Sequence, residues 1–273
     1  MEPVSFDRRR IALGYASDRP YLHPAVIRKI RMDNRIDAPF PIGLDIGCGA
    51  GLSTRALKDL CREVTGIDSS AEMIRMCEAL YPQEGYLFRQ CSAEQIDLPA
   101  DSCQIATAAG VVNWVEEAPF LTALKRVLTN QGLLCVYDFW ITAEMPGCPR
   151  YRDWWYGQYL PRFPKPPRKE NRWTKETLID GYSMEGQYGF KLSWDFTLDA
   201  FIRFMMIQSN VNRQIENGQS PEEIRAWFQN SLFSLWTDDT KKGLPANAAN
   251  ASPASVKRTL VFDGYVWYIR LRK

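Results

Sequence analysis

Three glycines at alternate positions follow an acidic residue at the end of a short apolar run. The pattern Asp45-x-Gly47-x-Gly49-x-Gly51 lies within PIGLDIGCGAGLS at 41–53. Ile42, Leu44 and Ile46 read as a strand and Thr54 onward as a helix. A strand that breaks into a glycine-rich turn and enters a helix is the first unit of a nucleotide-binding α/β sheet. The missing side chains let a ligand approach the backbone closely. The dinucleotide fingerprint would need Gly or Ala at position 52, where Leu52 stands, and the phosphate loop G-x-x-x-x-G-K-[ST] is absent. Asp68 ends a second apolar run, Glu63–Ile67, 21 residues after Gly47. That spacing places a carboxylate at the end of the second strand, where it accepts from both hydroxyls of a ribose on the loop. The plainer readings of the same residues are a tight turn without a ligand and a helix cap at Asp68.

Asp45-x-Gly47-x-Gly49-x-Gly51 resembles motif I of the class I S-adenosylmethionine (SAM)-dependent methyltransferases. SAM offers a zwitterionic methionine end, a sulfonium, a ribose and an adenine, and no phosphate. The resemblance implies that the turn from Gly47 through Cys48, Gly49 and Gly51 passes beside the methionine and ribose. It implies that Asp45 orients the turn and the amino group. Ser69, Ser70 and Met73 follow Asp68 at the start of a helix, with Met73 offering soft apolar surface near the adenine. After a third strand, Tyr86–Gln90, the segment Cys91–Pro99 is similar to the family's S/D-A-E-x-L-P stretch, so Ala93 and Glu94 are expected at the adenine edge. A fourth strand, Cys103–Ala109, runs into Gly110-Val111-Val112-Asn113-Trp114, the counterpart of motif IV facing the sulfonium and the acceptor. Relatives often carry His-Trp where this chain has Asn113-Trp114. Asn113 is no general base, although its amide positions a substrate by hydrogen bonds. Ahead of the loop, Tyr15-Ala-Ser-Asp-Arg19-Pro20-Tyr21 resembles a segment of trans-aconitate methyltransferase-type enzymes that covers the SAM pocket. Tyr15 and Arg19 are the expected contacts there, the guanidinium meeting a carboxylate.

The elements that must hold these residues alternate. A helix starts at His23-Pro24, with His23 expected in a capping or surface role. Helices follow at 52–61, 71–80 and 116–128, the last closed by Asn130-Gln131-Gly132, and Leu133–Phe139 is a fifth strand ending near Asp138. Strand–helix alternation implies a doubly wound, largely parallel sheet. The family resemblance extends it to a Rossmann-like α/β sheet of seven strands with an antiparallel last strand, Thr259–Leu271. The expected organisation is an N-terminal arm and cover helix at 1–39, a SAM-binding core at 40–142, a mainly helical cap insertion at 143–255 with a strand near 190–196, and a final core strand at 256–273. The insertion holds six of the nine tryptophans. Helical patterns cover Leu198–Asn217 and Pro221–Trp236, and Gly243–Ser255 reads as a polar loop. Trp140, Trp154, Trp155, Tyr156, Arg203 and Gln208 are candidates for an acceptor pocket. The competing reading makes most of these aromatics the cap's own core.

Composition narrows the chemistry. A formal charge of +2 over 273 residues, and no N/D-P-P-Y/F motif after the fourth strand, argue against a nucleic-acid substrate. No run of about 18 apolar residues suggests a membrane span, and no signal-type apolar core stands at the N-terminus. Seven scattered cysteines without C-x-x-C read as reduced thiols of a cytoplasmic protein, and a single histidine argues against a histidine-based metal site. The resemblance implies SAM as the donor, S-adenosylhomocysteine as product, a small-molecule acceptor, and a monomer or homodimer. Methyl transfer from a sulfonium is an in-line displacement, so holding the reactants in line and excluding water matter most. A phenol needs a base where a carboxylate or thiolate does not. Asp138 and Glu116 are carboxylates near strand ends, and Asn113, Trp114, Asp138, Trp140 and Arg203 are the acceptor-positioning candidates. The alternatives are a SAM-binding protein without turnover, a protein-directed methyltransferase, and a nicotinamide oxidoreductase, which Leu52 disfavours.

Overall fold

The computed structural model describes residues 14–165, 173–174, 178–237 and 256–273. The basic cluster Arg8–Arg10 and the whole loop expected at Gly243–Ser255 lie outside the described residues. In chain order the principal elements are α1 (His23–Asp33), β1 (Phe40–Ile46), α2 (Leu52–Leu57), β2 (Cys61–Asp68), α3 (Ala71–Leu80), β3 (Tyr86–Gln90), β4 (Cys103–Ala109), α4 (Glu117–Val127), β5 (Leu128–Ile141), α5 (Arg150–Trp154), β6 (Tyr182–Thr197), α6 (Leu198–Met206), α7 (Ser209–Glu216), α8 (Pro221–Thr237) and β7 (Lys257–Leu271). The seven strands form one sheet in the order β3-β2-β1-β4-β5-β7-β6. Strands β1 to β5 pair in parallel, and β7 runs antiparallel to both β5 and β6.

Parallel strands need both faces covered, so β1 and β4 read as almost continuous buried runs. On one face Val26, Ile27 and Ile30 of α1 and Ala56 and Leu57 of α2 pack on Leu133, Cys135 and Tyr137 of β5 and on Val266 of β7. On the other, Phe120, Leu121, Leu124 and Val127 of α4 meet Leu44, Ile46, Ala106, Ala108, Leu134 and Val136. The period of 3.6 in α4 supplies one apolar stripe for this contact. A third cluster stands beyond the sheet's carboxyl end. Tyr151, Trp154, Trp155, Tyr159 and Phe163 pack with Phe201, Ile202, Phe228 and Trp236 of the later helices, and with Ile141, Phe196 and Phe262 from the strand ends. The cap is therefore seated on β5, β6 and β7.

Several expectations change. The strand near 190–196 spans Tyr182–Thr197, because its whole length pairs with β7. The helix expected over Leu198–Asn217 is two helices. Gln208 is extended (φ −67°, ψ 141°), and the break turns Asn210 inward, where its Nδ2 donates to the Phe163 carbonyl at 2.7 Å and lies 3.0 Å from the Tyr159 hydroxyl. Asn130-Gln131-Gly132 does not close α4. The helix ends at Val127, and Gln131, with φ of 64°, kinks a strand that has already begun at Leu128.

His23 is neither a cap nor a surface residue. Leu22 occupies the N-cap, and His23 is buried with Nδ1 2.9 Å from the Tyr137 hydroxyl and its ring edge-on to Phe139. Burial pushes its pKa down to about 3, aided by the nearby Arg19 charge, so the imidazole is neutral in the folded protein at ordinary pH. In the unfolded chain it titrates near 6.5. This contribution to stability is therefore intact above pH 6.5 and is lost as pH falls towards 3, at roughly 1.4 kcal/mol per pH unit within that window. Asp45 pulls the other way, since burial raises its pKa to about 6 and its stabilising protonation is lost as pH rises from about 4 through 6. His23→Asn leaves Asp45 alone. Urea denaturation at pH 7, 6 and 5 should show this variant weaker than wild type by ~1 kcal/mol at pH 7 and clearly less sensitive to acid. An unchanged acid slope would refute the buried neutral imidazole.

Candidate active site

In the order β3-β2-β1-β4-β5, chain connections reverse direction between β1 and β4, and open sheets of this kind bind ligands outside the carboxyl ends at that point. The turn after β1 and the turn after β4 meet there. A Cβ on Gly47 would stand 2.4 Å from Val111 Cγ2, so the two turns are in direct contact and only glycine fits, with φ at 64°. Gly51 lies equally close to the Tyr81 ring. Gly49 differs. Its φ is also positive, at 52°, yet a Cβ there would meet nothing within 4 Å. The loop is packed at its two outer glycines and open at the middle one.

Two carboxylates hold this loop, in different ways. Asp45 is fully buried. Its Oδ2 accepts from Ser53 Oγ at 2.6 Å and Thr54 Oγ1 at 2.7 Å, and its Oδ1 from Thr107 Oγ1 at 2.8 Å. Three hydroxyls offset the cost of burying the carboxylate and tie β1 to the start of α2 and to β4. Asp45 thus braces the turn, closed from solvent. Asp68 stands at the open side. Gly49 N–H donates to its Oδ2 at 2.9 Å and Ser70 N–H to its Oδ1 at 2.9 Å. Burial raises its pKa, while these two backbone bonds oppose the rise. Each oxygen keeps a lone-pair site beyond its backbone bond.

The remaining expected cofactor residues divide into two groups. The side chains of Cys48 and Met73 are buried. The Cys48 N–H donates to Ile67 O at 2.9 Å, and its thiol packs with Ile74, Cys77 and Phe88. Met73 packs with Ala50 of the loop, against Tyr15 and Ala16. Tyr15 touches both that cluster and the cap core, so the arm lies across the loop and the cap. The Arg19 guanidinium stacks on the Tyr15 ring, 4.0 Å from its centroid, and its Nε is buried without a hydrogen-bond partner. Ser69 is exposed and Ala93 half-buried. Glu94 Oε1 accepts from the Glu116 N–H at 3.1 Å, linking the turn after β3 to the N-cap of α4.

Towards the acceptor side, Gly110 ends β4 with its N–H bonded to Tyr137 O at 2.8 Å. A Cβ on Gly110 would lie 3.3 Å from Asp138 Oδ1, which also accepts from the Phe139 N–H at 2.8 Å. Asn113 is half-buried, and Trp114 and Trp140 are 48% and 44% exposed. Trp154 and Trp155 are buried in the cap core and Tyr156 is exposed, so the core reading holds for both tryptophans. Arg203 is half-exposed and already engaged by two carboxylates. Its Nε donates to Asp18 Oδ1 at 3.0 Å, its Nη1 pairs with Asp199, and the contact pins α6 to the arm. Sequence reasoning missed Ser53, Thr54, Thr107, Tyr81 and Val111. A threonine inside the otherwise apolar centre of β4 was the one available signal for this group.

The described residues contain no cluster of His, Cys, Asp and Glu able to hold a metal, and no helix among them is long and apolar enough to cross a membrane. Residues 44–136 match the family model described as a methyltransferase domain. The chain is 29% identical over 139 residues to a candidate methyltransferase of Dictyostelium discoideum, covering 50% of this chain and 51% of that protein. It is 29% identical over 131 residues to the trans-aconitate 2-methyltransferase of Azoarcus, covering 45% and 47%. The chain spans about half the length of the curated relatives it matches. Among solved structures, a candidate type II methyltransferase from Anaeromyxobacter dehalogenans superposes with a TM-score of 0.62 at 19% identity, over 92% of this chain and 95% of that one. That likeness concerns the fold. Residues 44–136 are thus similar to a methyltransferase domain, and the Rossmann-like sheet is shared with that solved structure.

The packing separates the glycines experimentally. Gly47→Ala should lower stability by about 2 kcal/mol or more, from overpacking against Val111 and the unfavourable φ. Gly49→Ala should lose only the backbone term, about 1–2 kcal/mol. Thermal or urea denaturation reads both. Equal losses would contradict the open face at Gly49.

Proposed function

From a methyltransferase domain at residues 44–136, we propose that this protein transfers the methyl group of SAM to a small-molecule acceptor. The observation that carries the reading is the pair formed by Gly49 and Asp68. The one loop glycine with open space beside it donates its N–H to the carboxylate at the end of β2. A ligand lying against Gly49 meets that carboxylate with lone pairs to spare, which suits a ribose diol. The buried, unpartnered Arg19 Nε fits the same ligand, since a methionine carboxylate supplies the acceptor this donor lacks.

In this reading the backbone from Gly47 to Gly51 lies along the methionine and ribose, Asp68 accepts from the ribose hydroxyls, and Arg19, held flat on Tyr15, takes the carboxylate. Ala93 and the turn tied down by Glu94 border the adenine. When bound, SAM supplies an electrophilic methyl group already activated by a positive sulfur. The chain's own residues do the rest. The turns after β1 and β4 are locked to each other at Gly47 and Val111, which fixes the distance between the donor and acceptor sides. The arm and the cap close over the loop through Tyr15 and exclude water, and near-attack alignment provides the rate enhancement.

Isothermal titration with S-adenosylhomocysteine tests the assignment. Wild type should bind, and Asp68→Ala should weaken binding 10- to 100-fold, in line with about 1.5–3 kcal/mol for charge-assisted bonds. Arg19→Ala should weaken it by about tenfold or more on the same basis. Unchanged affinity in Asp68→Ala would remove the ribose assignment, and no binding by wild type would remove the donor.

A further inference from the structure

The arm that bears Tyr15 and Arg19 is one helical turn wedged between the glycine loop and the cap. The turn is closed by the Asp18 N–H, which donates to Gly14 O at 2.9 Å. Positions four apart on such a turn share a side. Tyr15 and Arg19 form one such pair, and Tyr15 packs at Ala50 and Met73 beside the loop. Gly14 and Asp18 form the other pair, and both meet the cap. A Cβ on Gly14 would stand 2.5 Å from Cγ2 of Ile207, the C-cap of α6. Asp18 accepts from Arg203 Nε at 3.0 Å, and its side chain is only 19% exposed. Arg203 also pairs with Asp199, and Asp199 with Arg225 of α8. One row of alternating charges thus runs from the arm through α6 to α8.

Behind the arm lies an open cleft of about 390 Å³, bordered by Gly14, Asp18, Arg203, Ile207 and Arg225. Among the described residues the arm therefore meets the cap at separate points rather than over a continuous face. Arg19 follows Asp18 directly in the chain, so the place of its guanidinium depends on where Asp18 is held. Resting on the donor reading above, we propose that Arg203 is a positioning residue for the donor. Through Asp18 it holds the arm so that Arg19, stacked on Tyr15, meets the methionine carboxylate. Cap and donor are thereby coupled, and by linkage a donor bound to Arg19 holds α6 and α8 against the arm in turn.

The test is calorimetry of the full chain with S-adenosylhomocysteine, paired with hydrogen exchange of the Asp18 amide in the ligand-free protein. Arg203→Ala and Asp18→Asn should each weaken binding by about three- to fivefold, the upper range for an exposed ion pair. The double variant should be no weaker than either single one, because both lose the same contact. Gly14→Ala keeps the ion-pairing groups but pushes the arm off Ile207, and should weaken binding by at least about threefold. Raising salt from about 0.05 to 0.5 M should close the gap between wild type and Arg203→Ala. In an Arg19→Ala background, Arg203→Ala should cost less than about 1.5-fold more, since the pair acts through Arg19; a general loss of stability would not behave this way. Exchange at Asp18 should quicken in Arg203→Ala and Gly14→Ala. Wild-type affinity in Arg203→Ala at low salt, or an undiminished loss in the Arg19→Ala background, would overturn the positioning role. Exchange unchanged in both variants would overturn the link between arm and cap itself. A wild type that does not bind the product, with exchange still quickened in the variants, would overturn the donor reading and leave that link standing.

Discussion

The buried carboxylate of Asp45 is the constraint on which the site depends. A carboxylate with no exposed surface is tolerated only because Ser53, Thr54 and Thr107 each turn a hydroxyl to it. Those three residues belong to the start of α2 and the middle of β4, so satisfying one charge fixes the end of β1 relative to both neighbours. The glycine turn between β1 and α2 then has little freedom left. Its strained, positive-φ backbone persists because both of its ends are held.

Around this brace the molecule divides its aromatic residues by task. The sheet's two faces are covered by mainly aliphatic contacts from α1, α2 and α4, as a parallel sheet demands. The cap instead builds its own core from stacked rings, with Trp154, Tyr159, Phe163 and Phe228 in mutual contact. A cap with an independent core can sit over the strand ends without drawing on the sheet's packing. Its attachment to the arm combines an exposed ion pair, Arg203 with Asp18, and the buried side of Tyr15. Solvent weakens the ion pair, so the tyrosine contributes most of that contact's free energy.

The sequence by itself determined the sheet and the position of its ligand side. Alternating apolar runs with glycine turns between them are local signals, and the 21-residue step from Gly47 to Asp68 carries the geometry of one strand–helix–strand unit. What a side chain faces is not local. Asp45 and Asp68 look alike in the sequence, each an acid at a strand end. Only the sheet order, which sets Asp45 opposite Thr107 on β4, makes the first a closed brace and leaves the second at the open side. The same holds for His23, whose partner Tyr137 is 114 residues away, and for Arg203, whose partner Asp18 is 185 residues away. The break between α6 and α7 belongs here too, since Asn210 turns inward to reach the Phe163 carbonyl, 47 residues earlier in the chain. Local pattern specifies elements because backbone hydrogen bonding and side-chain period are properties of neighbouring residues. Burial and pairing of individual charges and rings are set by contacts between distant segments, and those exist only once the chain has folded.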